Sequence, residues 1–146
     1  MSHQFIKFSK SITLKSFLKK KIPANTNVFR YNFHMDNNDK DQLMMIWQVK
    51  NYFFPPKRFL DSSKTYFLLK GKLIIFIFDA KGKILQKHYL DSSNPMCKLK
   101  KNIYHVDVAK TKVAIHCEIT NHSFSKRKIK FLDKKYLSKI KKSIIS

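Results

Sequence analysis

Hydrophobic positions recur with two different periods along this 146-residue chain. Between Ser9 and Lys21 the apolar residues Ile12, Leu14, Phe17 and Leu18 share one helical face, which predicts a short helix ended by Pro23. From Asn27 the pattern turns to short runs rich in β-branched and aromatic residues. Asn27–Met35 and Leu43–Phe54 read as strands around a polar turn at 36–41, and Pro55-Pro56 stops the second. Thr65–Leu69 and Lys72–Phe78 flank Gly71, and the turn Asp79-Ala80-Lys81-Gly82 leads into a returning strand, Lys83–Leu90. Met96–Lys100, Ile103–Val108 and Lys112–Ile119 complete the series. Many short strands with almost no helix between them predict an all-β sandwich or barrel.

The segment from Ser125 to Ser146 differs, with nine basic residues, one acid, and Leu132, Tyr136, Leu137, Ile140 and Ile144 on one helical face. It predicts a basic amphipathic helix. Such a helix either lies on an anionic membrane or packs its apolar stripe on its own domain or a sister subunit; packing is the favoured reading. The expected organisation is an N-terminal helical extension (1–26), a barrel (27–124) and this tail (125–146).

Composition supports one packed core: 43% of residues are hydrophobic, and 14% are aromatic, with thirteen Phe and six Tyr. The net charge of +22 would ordinarily suggest nucleic acid or a membrane surface as partner. Of 31 basic residues, however, only Arg30, Arg58 and Arg127 are arginines, and nucleic-acid sites favour the arginine fork. Abundant Lys, Ile, Asn and Phe with two Gly fit A/T-biased codon usage instead, so nucleic acid is disfavoured. Cys97 and Cys117 lack metal-binding or redox spacing and read as small apolar residues. Residues 1–22 lack the apolar stretch of a signal peptide, and the run Leu73–Phe78 is too short for a membrane helix. The expected location is the cytoplasm.

One stretch has the frame of a metal-binding motif without its ligands. Asn51, Lys57-Arg58-Phe59, Lys64 and Gly71 follow the spacing Gly-x5-His-x-His-x4-Glu-x6-Gly of the first cupin motif. Lys100-Lys101-Asn102-Ile103-Tyr104-His105 stands where the second motif has its histidine, and His105 alone is retained. Residues 31–124 resemble the WbuC family of small cupins, found among genes for bacterial O-antigen and other surface polysaccharides. The likeness rests on Asn32-Phe33-His34, Asp39, Gln42, Pro56, the hairpin Leu68–Lys83 and Glu118-Ile119, while the family's Gly-Pro ending is replaced by His122-Ser123-Phe124.

The resemblance implies a single cupin-type β-barrel, or jelly roll, degenerate at its metal site. A divalent ion needs at least three convergent donors, and three of four are lost, so no metal and no cofactor is expected. The implied pocket holds Lys57, Lys64 and His105, with His34, Asn32 and Gln42 near its mouth. Two ammonium groups without a counter-charge would favour an acidic ligand. Each has a plainer reading: His105 as a hydrogen-bonded core residue, Lys57 and Lys64 as lysines reaching the rim. His88 and His116 show no partner and receive no role.

Three functions compete. The first is a non-catalytic module, an expected homodimer, binding an anionic sugar or nucleotide-sugar in surface-polysaccharide assembly. The second is a metal-independent nucleotide-sugar isomerase or epimerase using His105, with Tyr104 or Lys64 as helper. The third, a charge-driven nucleic-acid or membrane-surface protein, lacks any supporting motif beyond the tail.

Overall fold

The computed structural model describes residues 13–19 and 24–145. Within them the chain forms α1 (Leu14–Leu18), β1 (Val28–Asn32), β2 (Gln42–Val49), β3 (Lys57–Phe59), β4 (Lys64–Lys70), β5 (Leu73–Phe78), β6 (Ile84–Leu90), β7 (Met96–Leu99), β8 (Tyr104–Ala109), β9 (Val113–Thr120), β10 (Ile129–Phe131) and α2 (Leu137–Ile145). The strands make two five-stranded antiparallel sheets, ordered β1-β2-β9-β4-β7 and β10-β3-β8-β5-β6. Strands far apart in sequence are neighbours in both sheets, as in a jelly roll.

Side-chain alternation explains how so short a chain buries three apolar clusters. On β5 every residue is apolar because both faces are covered. Leu73, Ile75 and Ile77 point inward to meet Tyr66, Leu68, Leu90 and Leu99. Phe76 and Phe78 point outward and join Tyr104, Val106 and Val108 of β8 beneath Leu132, Ile140 and Ile144. The first sheet is covered outside by α1, whose Phe17 is fully buried against Met45 and Ile115, 5.9 Å ring to ring from Phe29. Thr13 caps α1 by accepting from the Ser16 backbone, a reciprocal box closed by the Ser16 hydroxyl.

The predicted strands agree with the observed ones at β1, β2 and β4 through β9, with two corrections. The second strand ends at Val49 rather than running on to Phe54, because Asn51 takes φ +61° and turns the chain. The predicted helix over 125–146 is confined to α2. Its first part forms β10, which pairs with β3 in the register Ile129↔Phe59 and Phe131↔Lys57. The apolar stripe does pack on its own domain: Leu132, Ile140 and Ile144 are buried. A side chain on Gly82 would meet Ile140 and Tyr136 at 3.0 Å, so the 79–82 turn is glycine-dependent partly because α2 rests on it. Ile12, the ends of the predicted Ser9–Lys21 helix and its Pro23 stop lie outside the described residues. No helix among those described is long and apolar enough to cross a membrane.

Candidate functional site

The backbone of both cupin-like motifs persists where the side chains have changed. Asn51 stands at the first glycine of the pattern with φ +61°, Gly71 closes it with φ +87°, and Asn102 makes the second turn with φ +67°. Asparagine is among the non-glycine residues best able to adopt this left-handed conformation. These turns fix where β3 begins and how β8 enters the barrel, and hence which side chains face inward.

Period-two alternation then aims a set of polar residues into one end of the barrel. Lys57 and Phe59 of β3, Lys64 of β4, His105 and Asp107 of β8 and Glu118 of β9 line a cavity of about 430 Å³. Asn32, His34 and Gln42 border it too, so all six residues singled out by sequence lie around one space. Their chemistry differs. Gln42 donates its amide to the carbonyls of Asp36 and Asp39 at 3.1 and 2.9 Å, tying the 36–41 turn. His34 pairs through Nδ1 with the Leu43 carbonyl at 3.1 Å.

His105 is 4% exposed and donates from Nδ1 to the Ile103 carbonyl at 2.8 Å. This fixes the tautomer, leaving Nε2 as a buried lone pair without a hydrogen-bond partner. Burial, reinforced by the Lys64 charge, lowers its pKa to about 4, so the ring is neutral at physiological pH. Tyr104 cannot assist it: as the next residue on β8 it faces outward into the cluster under α2, with Arg58 4.6 Å over its ring. The expected helper is thereby excluded by strand alternation.

The two lysines are not equivalent, which corrects the expectation of paired ammonium groups lacking a counter-charge. Lys64, 4% exposed, donates to Glu118 Oε2 at 2.7 Å. Burial opposes ionisation of Glu118, but the Lys64 charge and the neighbouring His116 prevail and hold its pKa well below the ordinary value. Among the described residues Lys57 forms no ion pair; its Nζ lies 5.6 Å from the Phe59 ring centroid. Burial first, then the Lys64 charge, lowers its pKa to about 8.

Sequence reasoning missed a second layer. Asp107, His116 and Glu118 bring ligand atoms within 4.8 Å of one another, a set able to hold a metal ion. His116, given no role from sequence, is fully buried, its Nε2 3.8 Å from Asp107 and 3.7 Å from Glu118. The spacing His116-x-Glu118 on one strand was the available signal; the packing of one sheet over the other that brings Asp107 beside them was not. Two protein groups already answer this cluster, the Lys64 ammonium on Glu118 and the Tyr66 hydroxyl donating to Asp107 at 3.2 Å. A divalent ion placed about 4 Å from that ammonium would meet roughly 8 kcal/mol of repulsion at an effective dielectric of 20, set against an attraction at least as large from each of the two carboxylates. The motif positions Lys57, Phe59 and Lys64 supply no metal donor, so an ion in this barrel would have to be held by Asp107, His116 and Glu118.

Arg30 and Arg127 also reach the cavity. Arg127 lies 4.8 Å over the Phe59 ring and donates to Thr120 Oγ1 and the His122 carbonyl at 2.6 and 3.0 Å. The lining thus carries four basic side chains, Arg30, Lys57, Lys64 and Arg127, against the carboxylates of Asp107 and Glu118.

No protein-family model matches the sequence, and no curated protein is significantly similar. Solved structures do match in fold. The chain is similar to an uncharacterized conserved protein with a double-stranded β-helix domain from Klebsiella pneumoniae, at TM-score 0.65 and 9% identity over 92% of this chain and all of that one. It is similar to the capsular polysaccharide assembling protein CapF from Staphylococcus aureus at TM-score 0.63 and 12% identity, over 76% of this chain. An oxalate oxidase in complex with the substrate analogue glycolate matches at TM-score 0.60 and 13% identity, over 84% of this chain. The chain spans 33% of CapF and 63% of the oxidase. The fold is therefore the all-β cupin jelly roll with two small helices.

Proposed function

We propose that the open end of the barrel binds a small anionic ligand, a sugar acid or the phosphorylated end of a sugar, without a metal, and that the protein serves surface-polysaccharide assembly. The observation that carries this is Lys57. Its ammonium borders a cavity in which the buried carboxylate of Glu118 is already paired with Lys64. A half-buried charge held in no ion pair is costly, and an incoming anion lowers that cost. Arg30 and Arg127 add to the positive field, while Asn32 suits the hydroxyls of a sugar. The cavity of about 430 Å³ lies within the range of ligand pockets. The fold likeness to a capsular polysaccharide assembling protein supports the setting, and that to an oxidase holding glycolate supports a small carboxylate in such a barrel.

Thermal unfolding tests this reading. Phosphate, citrate or a hexuronate should raise the Tm by mass action on the folded state, where sodium chloride at equal ionic strength does not. Lys57→Ala should abolish the rise. A wild-type protein with no anion-dependent shift rules the reading out.

A further inference from the structure

The geometry points to a covalent role: we propose that Lys57 is a reactive amine that condenses with the carbonyl of a small aldehyde or 2-oxo acid entering the barrel. The inference rests on the cavity being open to small ligands, as in the reading above, but not on the ligand's charge.

Three placements carry it. Lys57 on β3 and His105 on β8 are direct register partners, and both line the cavity. Directly opposed residues of antiparallel strands project to the same face about 5 Å apart at Cβ. His105, whose buried Nε2 has no hydrogen-bond partner, lines the same cavity. Lys64 on β4 cannot play the same part, because its nitrogen is held 2.7 Å from Glu118. Lys57 has no such anchor. The groups acting on it are Lys64 and Arg30, which disfavour its charged form, and Glu118 and Asp107, which favour it; burial and Lys64 outweigh the carboxylates. A desolvated lysine beside a second cation is the arrangement that makes an amine nucleophilic near neutral pH.

The condensation balances without an oxidant or a metal. The neutral nitrogen attacks the carbonyl carbon, forming the C–N bond while the C=O π pair moves to oxygen. One proton moves from nitrogen to that oxygen through solvent at the open end of the barrel. The C–O bond then breaks, the oxygen departs as water with the second nitrogen proton, and a C=N bond remains.

The test is reductive trapping of the folded full chain at pH 7 with glycolaldehyde and cyanoborohydride, read by peptide mass mapping. An amine titrating near 8 is neutral roughly 300 times more often than an ordinary lysine at this pH. Lys57 should be labelled at least tenfold faster than exposed lysines such as Lys87 and Lys112, and Lys57→Arg should lose the fast label while surface labelling persists. Labelling of Lys57 no faster than Lys87 overturns the proposal, as does fast labelling that survives in Lys57→Arg. Glycolaldehyde is uncharged, so the two ideas separate. Selective labelling without a phosphate-dependent Tm rise would sink the anion-binding reading and leave this one standing; the reverse pattern would do the opposite.

Discussion

The two ends of the barrel interior are built on the same strands and have opposite chemistry. Following inward-facing residues, β4 passes from Lys64 through Tyr66 to Leu68, β8 from His105 through Asp107 to Ala109, and β9 from Glu118 through His116 to Ala114. At the closed end Leu68, Leu73, Leu90, Ala109 and Ala114 fill the space as part of one apolar cluster. At the open end charged side chains surround a cavity. Tyr66 sits at the junction, its ring in the apolar cluster and its hydroxyl on Asp107. Close packing at one end can thus support polar groups held unpaired at the other, where binding and chemistry need them.

The largest effect expected from breaking this contrast comes from the ion pair at the open end. Lys64→Ala leaves Glu118 buried and unanswered and should cost about 3–5 kcal/mol in urea unfolding. Adding Glu118→Gln should recover most of that loss. A single-variant loss below about 1 kcal/mol would mean that the pair supports nothing.

At the closed end, Leu73→Ala removes a fully buried side chain and should cost about 2–5 kcal/mol. The anion-dependent rise in Tm should survive it, since no charged group moves. Loss of that rise would show the two ends to be coupled.

Acid sharpens the comparison further. His105 titrates near 4 when folded and near 6.5 when unfolded, so between these values the unfolded chain binds more protons and stability falls as pH drops. The loss should be on the order of 3 kcal/mol at most. The His105→Asn variant should show a shallower decline from pH 6.5 to 4; an identical slope would refute burial of a neutral ring.

The smallest effect concerns Lys57. Lys57→Met should equal or exceed wild type in stability at pH 7, by up to about 2 kcal/mol, because it removes a desolvated charge. Since Lys57 titrates near 8 when folded and 10.5 when unfolded, wild-type stability should climb with pH across that window, and the gap to the variant should close. A variant clearly less stable at pH 7 would make Lys57 a structural support at the rim.

Particular residues show how far the chain alone could be read. The strands β4 to β9 were legible because alternation and the turns at Gly71, Gly82 and Asn102 are local signals. The tail was half legible. Leu132, Ile140 and Ile144 were correctly expected to pack, yet Ile129–Phe131 became a strand because the free edge of β3 supplies backbone partners that no local propensity encodes. Lys57, Lys64 and His105 were found from motif spacing, and Asn32, His34 and Gln42 from the family resemblance; both position residues only along the chain.

The sequence by itself determined an all-β chain, a cupin-like frame whose left-handed turns survive in Asn51 and Asn102, and the loss of metal donors at Lys57, Phe59 and Lys64. Only the tertiary structure decided which charges meet. Glu118 lies 54 residues from Lys64, and Asp107 is nine positions from His116. Their encounter depends on the pairing of β4 with β9 and the closure of one sheet over the other. That pairing left one lysine neutralised and the other without a carboxylate partner. Electrostatic roles inside a barrel depend on distance and dielectric, and spacing along the chain fixes neither.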